Sequence, residues 1–366
     1  MTAPAPLQRT ALFEEHVRAG ARLVPYAGFE MPVQYAGILR EHDAVRHRAG
    51  LFDLSHMGQF ELYGDGVADW ADGLCTNAVA TMKPMQARYN IFCNDRGGAH
   101  DDTIFYRLEG RWLLVVNASN AAKMWSLLES QAPPGVELRN LHRRRSLIAV
   151  QGPMSAAMLQ PHAGVDLSAM KYYFCAEATV EGVPATIART GYTGEDGFEL
   201  FVDDERAPQI WRALLEARAG EGLEPCGLGA RDVLRLEAGM PLYGHELTEE
   251  ITPVQAGQSW AVKLNKDFAG RDALAAQVEA GDYPRIAGLV MDGRAPAREG
   301  YAVWFEGRRA GEIRSGSPAP SLGNKNVATA LLAAQAAEPG TRLEVEIRGS
   351  KHAATVVSLP FYKRSK

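Results

Sequence analysis

The sequence predicts a mixed α+β region followed by a C-terminal all-β module. Up to about residue 280, helical and strand patterns are mixed, without the regular alternation that a doubly wound sheet requires. After about residue 285, short strand patterns follow one another between turns, as in a small barrel or sandwich. These strands are predicted over 286–291, 302–305, 310–315, 328–332, 342–347 and 352–357.

Helical and strand periodicities predict the elements of the mixed region. Helices are predicted over 7–20, 37–48, 67–82, 119–131, 207–219 and 228–238. The last of these stops at Gly239 with Pro241 beyond it, a common way for a helix to end. Strands are predicted over 51–64, 146–150 and 198–202, and several more between 87 and 116. The segment 177–187 alternates like a hairpin around Glu181-Gly182.

Composition and charge exclude several classes of protein. A chain of 366 residues is long enough for two or three domains. Its 39 basic and 44 acidic residues include no long basic run, which argues against nucleic-acid binding. Four cysteines stand far apart without a CxxC pair, which argues against a zinc site or a disulfide framework and suits a reducing compartment. With no signal peptide and no apolar run of about 18–20 residues, no membrane association and a cytoplasmic location are expected.

The general catalytic motifs are missing from the sequence. Gly227-Leu228-Gly229 lacks the third glycine of a dinucleotide fingerprint and follows no clear strand pattern, so a tight entry into the next helix is the better interpretation. There is no GxxxxGK phosphate loop, HExxH helix, GxSxG elbow or EF-hand loop. The residues by themselves therefore indicate no nucleotide, no metal and no covalent nucleophile.

Three polar clusters remain as candidate functional segments. In a strand, Asp101 and Asp102 face opposite sides, so only one of them can enter a given cleft, and both could instead be hydrated residues after a turn. His56 lies in a further polar stretch, and a histidine bonded locally to backbone is the plainer interpretation. The three clusters are 100–104, 191–199 and 229–239.

The other two clusters also allow a plain structural interpretation. Glu199 lies between Phe198 and Leu200 and points away from both, as a solvent-facing strand residue would. Arg231 and Arg235 are four residues apart on one helix face and could be surface charges. The run HRRR at 142–145 is interpreted in the same way, as a solvated surface.

Taken together, these segments closely resemble the aminomethyltransferase family, the T-proteins of the glycine cleavage system. The resemblance runs nearly from end to end, and its most specific parts are 191–199 and 229–239. The matching motifs are GFEMPVQY at 28–35, FDLSHM at 52–57, GG at 97–98 with DD at 101–102, AVQGP at 149–153, GYTGEDGFE at 191–199, GARDVLRLEAG at 229–239, LYG at 242–244, SGSP at 315–318 and PSLG at 320–323.

The resemblance implies a fold and a division into domains. It implies an α+β protein of three domains arranged as a cloverleaf around a central opening that holds tetrahydrofolate. Domain 1 would be discontinuous, from 1–50 and about 141–265, and domain 2 would span about 51–140. Domain 3, over about 280–366, would be a β barrel.

The resemblance also implies a reaction. An aminomethyl group on the lipoyl sulfur of the partner H-protein would give its carbon to tetrahydrofolate, producing 5,10-methylenetetrahydrofolate, ammonia and dihydrolipoyl H-protein. Tetrahydrofolate would be a co-substrate, with no metal and no nucleotide cofactor. The folate N5 is itself the nucleophile, so the enzyme must orient the partners, exclude water and manage protons.

Site residues are implied where this sequence matches the family motifs. Asp102 matches the family aspartate near N5–N10 of the folate, as proton acceptor or as stabiliser of positive charge. Glu199 matches the pterin-binding glutamate of the family. A carboxylate suits that position, because a reduced pterin presents two adjacent donors. Arg231 would pair with Asp102 or hold substrate. The supporting candidates are Tyr192, Met57, Tyr89 and Asn117.

Two alternatives stay open within the same architecture. One is a tetrahydrofolate-dependent demethylase, although the related dimethylglycine and sarcosine oxidases carry a flavin domain for which this chain has no fingerprint. The other is a non-enzymatic folate-binding protein, against which the complete set Asp102, Glu199 and Arg231 argues. Some family members use a C-terminal tyrosine at the folate, and whether Tyr362 takes that place stays open.

Overall fold

A computed structural model describes residues 6–218, 220 and 222–364. Its α-helices are α1 (Phe13–Arg18), α2 (Ile38–His47), α3 (Val67–Leu74), α4 (Ala121–Gln131), α5 (Ser155–Leu159), α6 (Ala207–Arg218), α7 (Leu228–Glu237) and α8 (Arg271–Ala280). Within the described ranges, no helix is long and apolar enough to cross a membrane.

The strands of the mixed region precede those of the C-terminal module. In the mixed region they are β1 (Arg22–Tyr26), β2 (Phe29–Gln34), β3 (Ala49–Asp53), β4 (Gly58–Tyr63), β5 (Ala87–Cys93), β6 (Ala99–Leu108), β7 (Arg111–Val116), β8 (Glu137–Asn140), β9 (Arg145–Gln151), β10 (Cys175–Val180), β11 (Val183–Ala188), β12 (Gly197–Asp203) and β13 (Leu223–Pro225). In the module they are β14 (Arg285–Met291), β15 (Ala302–Phe305), β16 (Arg308–Ala319), β17 (Lys325–Leu332), β18 (Arg342–Ile347) and β19 (Ser350–Val357).

The chain divides into two compact units, each assembled from three segments. Unit 1 comprises the described residues of Met1–Val67, Met82–Arg88 and Ile104–Asp232. Unit 2 comprises those of Ala68–Thr81, Tyr89–Thr103 and Val233–Lys366. The three domains expected from the family resemblance, with their boundaries, stay a prediction.

Unit 1 is built around a six-stranded sheet in the order β10-β11-β12-β9-β3-β13. All of its pairs are antiparallel except β13 with β3. All five residues of β3 are buried, and so are the first six of β12, so these strands are covered on both faces. Apolar side chains of β3, β9, β11 and β12 pack with Trp211 of α6 in the core of this unit.

The predicted hairpin around Glu181-Gly182 is confirmed. Strands β10 and β11 pair from Cys175 with Ala188 to Val180 with Val183. The two turn residues both have positive φ, 53° at Glu181 and 73° at Gly182. Such a backbone matches the twist of a two-residue hairpin turn, and glycine adopts it without steric cost.

A five-stranded sheet in the order β5-β6-β7-β4-β8 contains the Asp101-Asp102 pair. Its strands β5 and β6 contribute residues to both units. Along β6, buried and partly exposed residues alternate from Ala99 to Phe105. Asp101 is fully buried and Asp102 is partly exposed, so the prediction that they face opposite sides is confirmed.

The C-terminal module is a closed six-stranded barrel in the order β14-β17-β16-β15-β18-β19. Each of the six strands predicted after residue 285 is present, and β14, β16, β17 and β19 extend beyond the predicted ends. Closure leaves no unpaired strand edge, and alternate side chains such as Leu289, Val303 and Ile313 fill the interior. The predicted fold class, α+β with a C-terminal β barrel, is confirmed.

Several predicted boundaries are wrong for reasons of tertiary contact. The helix expected over 7–20 is only α1, the one expected over 67–82 is only α3, and the strand expected over 51–64 is two strands, β3 and β4, separated by a turn. Hydrophobic periodicity locates elements better than it locates their ends, so these predicted elements are too long. The helix expected over 207–219 is α6, and its last predicted residue, Ala219, lies outside the described residues.

A strand does precede the Gly227-Leu228-Gly229 segment, contrary to the prediction. It is β13, only three residues long, and it is parallel to β3, which lies far away in sequence. A Cβ at Gly227 would lie 2.4 Å from the carbonyl carbon of Val33, and one at Gly229 would lie 2.6 Å from a side-chain carbon of Ile38. The two glycines therefore serve the close packing of the start of α7, as the interpretation of a tight helix entry predicted.

Candidate functional site

Glu199 lies in β12 and is only 7% exposed, so the solvent-facing interpretation is wrong. The hydroxyl of Thr190 donates a hydrogen bond to its Oε2 at 2.5 Å, and the hydroxyl of Tyr106 donates to the same oxygen at 3.2 Å. Burial, together with the charge of Glu199, raises the pKa of Tyr106 well above its ordinary value, so this phenol stays protonated and able to donate. Glu199 is therefore a buried carboxylate held by two neutral donors.

The loop before Glu199 is fixed by the buried amide of Gln151, at the end of β9. Its Nε2 donates to the carbonyl of Thr190 at 3.0 Å, and its Oε1 accepts from the hydroxyl of Thr193 at 3.0 Å. A Cβ at Gly191 would lie 2.0 Å from this Oε1, and one at Gly197 would lie 2.2 Å from this Nε2. The glycines of the GYTGEDG segment thus let the backbone approach the amide closely.

Two ion pairs hold the same loop at its far side. Arg46 of α2 is buried, and its Nη1 lies 2.8 Å from Oε1 of Glu195 and 2.7 Å from the carbonyl of Thr193. Arg189 holds both carboxylate oxygens of Asp196, at 3.0 Å and 2.6 Å. Paired, hydrogen-bonded charges of this kind define one loop conformation.

Arg231 and Tyr192, both predicted site residues, lie against each other in unit 1. The guanidinium carbon of Arg231 lies 4.6 Å from the centre of the Tyr192 ring. Both side chains are partly exposed, and the cation–π contact orients the arginine. The pairing of Arg231 with Asp102 stays a prediction.

His56 precedes the predicted residue Met57 and is almost fully buried, with 3% exposed. Its ring packs edge-on against Tyr26 and Phe29. Burial lowers the pKa of His56 to about 4. The positive charge of Arg231 also lowers this pKa, whereas the negative charge of Asp53 raises it. In the described part of the chain Nδ1 has no hydrogen-bond partner, so the interpretation of local bonding to backbone is wrong. Met57 itself is partly exposed.

Asp102 and Tyr89, also predicted site residues, are hydrogen-bonded in unit 2. The Tyr89 hydroxyl donates to Oδ2 of Asp102 at 3.0 Å. The Tyr89 ring stacks on Trp260, with centroids 5.4 Å apart and planes inclined by 26°. Trp260 is 58% exposed, and its Nε1 donates to Oε1 of Gln258 at 3.0 Å. Trp260 does not stand out in the sequence, since nothing local separates an exposed tryptophan from a core one.

Asn117 and Tyr362 are the remaining sequence candidates, and both take part in backbone hydrogen bonds. Asn117 precedes a short 3-10 helix, Ala118–Asn120, and its carbonyl accepts from the backbone N–H of Asn120 at 3.0 Å. The backbone N–H of Tyr362 donates to the carbonyl of Glu237 at 2.7 Å. Both side chains are partly exposed. Their part in a site stays a prediction.

A cavity of about 490 Å³ in unit 1 lies apart from the predicted residues. Arg111 and Arg145 on its wall both lie close to Oε1 of Glu61, at 2.9 Å and 3.0 Å, so its charges largely neutralise one another. Its lining residues are Glu61, Tyr63, Glu109, Arg111, Leu141, Arg144, Arg145 and Asp203. Over the described residues, no group of three or more His, Cys, Asp or Glu side chains is placed to hold a metal ion.

Known families match the chain in two adjacent parts. Residues 12–266 match the family described as the GCVT N-terminal domain. Residues 285–363 match the glycine cleavage T-protein C-terminal barrel domain. The chain belongs to the aminomethyltransferase family of glycine cleavage T-proteins. The family recognised in the sequence motifs is thereby confirmed.

Individual aminomethyltransferases match the whole chain. One from Anoxybacillus flavithermus is 44% identical over 98% of this chain and 100% of its own length. One from Deinococcus deserti is 46% identical over 99% of each chain. The crystal structure of the glycine cleavage system aminomethyltransferase T from Bartonella henselae is 35% identical, covers 98% of each chain and superimposes with a TM-score of 0.91.

Proposed function

We propose that this chain is the aminomethyltransferase of a glycine cleavage system. It would transfer the methylene carbon from aminomethyl-dihydrolipoyl H-protein to tetrahydrofolate, giving 5,10-methylenetetrahydrofolate, ammonia and dihydrolipoyl H-protein. The observation that carries the proposal is the 44–46% identity to aminomethyltransferases over nearly the entire length of both chains. Because the match covers 98–99% of this chain, the likeness extends over both the site segments and the barrel.

Glu199 is proposed to bind the pterin end of tetrahydrofolate. A buried carboxylate accepts hydrogen bonds only, and burying its charge is costly unless donors surround it. Two hydroxyls donate to Oε2 of Glu199, and acceptor capacity remains at Oε1. The amide N–H and adjacent amine of a reduced pterin are two donors that suit a carboxylate, with one hydrogen bond to each oxygen. These observations support the match between the residue and the ligand.

Asp102 is proposed to act at the reacting end. Its carboxylate is partly exposed, and one of its oxygens accepts from Tyr89. The stack on Trp260 limits the rotation of the Tyr89 ring, so this hydroxyl holds the carboxylate in one orientation. A carboxylate held in this way can accept a proton or stabilise a positive charge next to it.

The remaining residues would orient the substrates. Tetrahydrofolate, when bound, supplies the N5 nucleophile. Arg231, held against Tyr192, offers donors to an anionic or carbonyl group of a substrate. Met57, partly exposed beside buried His56, offers a thioether for packing on an aromatic face. We assign Asn117 a supporting contact in the same site.

Lipoylated H-protein is proposed as the protein partner, and tetrahydrofolate as the co-substrate, without a metal or nucleotide cofactor. These proposals follow from the chemistry of the family reaction. The carbon exchanges its bonds to sulfur and to the amine nitrogen for bonds to N5 and N10, and the two protons lost from these nitrogens end on sulfur and on ammonia. No redox change and no phosphoryl transfer is involved. The cytoplasmic location expected from the sequence stays a prediction.

The direct test mixes the purified protein with aminomethylated H-protein and tetrahydrofolate. Ammonia and 5,10-methylenetetrahydrofolate should form together, and omission of either partner should abolish both products. Binding of tetrahydrofolate without turnover would contradict the proposal. That result would favour a demethylase acting on another one-carbon donor, or a non-enzymatic folate-binding protein.

A further inference from the structure

The two hydroxyls that hold Glu199 converge on a single oxygen. In the described part of the chain, both hydrogen bonds that Glu199 accepts go to Oε2, one from Thr190 and one from Tyr106. An ionised carboxylate has about four acceptor positions, two on each oxygen. Oε2 is therefore filled, and both positions of Oε1 are open to a ligand.

The two hydrogen bonds differ in length. The Thr190 hydroxyl lies 2.5 Å from Oε2. The Tyr106 hydroxyl lies 3.2 Å from the same oxygen, beyond the usual range for O–H···O bonds. Of the two donors, Thr190 therefore lies closer to the carboxylate.

The two donors also differ in the other partners they have. Thr190 is buried, and its carbonyl accepts from Nε2 of Gln151, whose amide is enclosed by Gly191 and Gly197. Tyr106 is buried to the same degree, and its ring packs edge-on against Phe201. Tyr106 also makes a hydrogen-bonding contact with the Thr190 hydroxyl, so it has a second partner within reach.

A ligand with two adjacent donors needs one acceptor position on each oxygen of Glu199. One of the two hydroxyls must therefore give up its position on Oε2. We infer that Thr190 and Tyr106 determine how Glu199 recognises its ligand: Thr190 is the fixed donor that orients the carboxylate, and Tyr106 is the exchangeable donor that yields its position to the ligand. This inference rests on the proposed function, in which the ligand is a reduced pterin.

The two roles predict opposite results for two substitutions that each delete one hydroxyl. Thr190→Val keeps the shape of the side chain, and it should raise the Kd for tetrahydrofolate about tenfold or more, which corresponds to about 1.4 kcal/mol. Tyr106→Phe should leave the Kd within about threefold, or lower it, because a competing donor is gone. Thr190→Ser keeps the hydroxyl and should restore binding. Anaerobic titration calorimetry with tetrahydrofolate measures all three.

A double substitution separates positioning from a general structural effect. If Thr190 acts through Glu199, adding Thr190→Val to Glu199→Gln should cause no further loss of binding. Equal losses in Thr190→Val and Tyr106→Phe would overturn the inference. So would a wild-type Kd in Thr190→Val while Glu199→Gln binds weakly, and that result would leave the proposed function standing. Wild-type binding by Glu199→Gln would instead remove the proposed role of Glu199, and the inference with it.

Discussion

The carboxylates of Glu199 and Asp102 both lie on β-strands but in different surroundings. Glu199 stands on β12, whose first six residues are all buried. Asp102 stands on β6, where buried and partly exposed residues alternate. Alternation in a sequence therefore tells which residues share a face, but the layers packed on each face decide whether that face meets water.

The hydrogen-bond donors to the two carboxylates also differ. One oxygen of Glu199 accepts hydrogen bonds from two hydroxyls, and Asp102 accepts one from the hydroxyl of Tyr89. A buried anion among neutral donors suits the recognition of a donor-rich ligand, because water does not compete. A partly exposed carboxylate suits proton transfer, because it can exchange protons with solvent between turnovers. Binding and chemistry are thus assigned to different carboxylates.

The largest expected effect is on turnover when Asp102 is changed. Asp102→Asn keeps the size of the side chain and removes its negative charge. We expect kcat to fall about a thousandfold, within the range for loss of a general base. Steady-state formation of 5,10-methylenetetrahydrofolate measures this, and near-normal kcat would contradict the proposed role.

Asp101→Asn is the matched control for this substitution. The neighbouring carboxylate is fully buried on the other side of the same strand. Its loss should lower the thermal midpoint of unfolding, with a much smaller effect on kcat in the protein that remains folded. A thousandfold loss of kcat in both variants would remove the distinction between the two faces.

The next effect concerns stability, at buried His56 in the unit that holds Glu199. The pKa of His56 is about 4 in the folded protein, below the ordinary value near 6.5. Between pH 6.5 and pH 4 the unfolded chain therefore binds more protons, so the folded state loses stability as the pH falls. The expected contribution is about 3 kcal/mol over this range.

Urea unfolding at pH 7, pH 5.5 and pH 4.5 tests the contribution of His56. His56→Gln cannot be protonated, so its free energy of unfolding should fall less steeply with falling pH than that of the wild type. The comparison uses the slope, because the substitution also changes packing against Tyr26 and Phe29. Parallel slopes in the two proteins would show that His56 is not the group that titrates.

A smaller effect is expected on binding when Glu199 is changed. Glu199→Gln keeps the shape but replaces an anion with a neutral amide, which also brings a donor group. The Kd for tetrahydrofolate should rise about ten- to a hundredfold, the factor for loss of a charged hydrogen bond. The KM for tetrahydrofolate should rise with it, while kcat changes less. A fall in kcat at unchanged Kd would place chemistry, and not recognition, at Glu199.

The smallest effect is expected at Tyr89. Tyr89→Phe keeps the stack on Trp260 and removes the hydroxyl that donates to Asp102. We expect kcat to fall about three- to tenfold, corresponding to about 1 kcal/mol for one hydrogen bond. In the Asp102→Asn background the same substitution should change kcat little. An additive loss in the double variant would show that Tyr89 acts independently of Asp102.

The sequence alone determined the fold class, the family and much of the local structure. The six barrel strands and the hairpin at Glu181-Gly182 follow from period-two patterns and turn residues, which are local properties. The opposite orientation of Asp101 and Asp102 follows from strand geometry alone. The motif at 191–199, together with the other matching motifs in the same order, identifies the family, because many ordered matches rarely coincide by chance.

Only the tertiary structure decided which polar groups are buried and what holds them. The neighbours of Glu199 in the sequence predict a surface residue, but Glu199 is buried. Its burial depends on β9, β11 and the layers that cover their sheet. Its partner Tyr106 is 93 residues away in the chain. The strand β13 has no clear pattern in the sequence, because it has only three residues and pairs with distant β3. Burial and hydrogen-bond partners arise from contacts between segments far apart in sequence, and no local pattern encodes them.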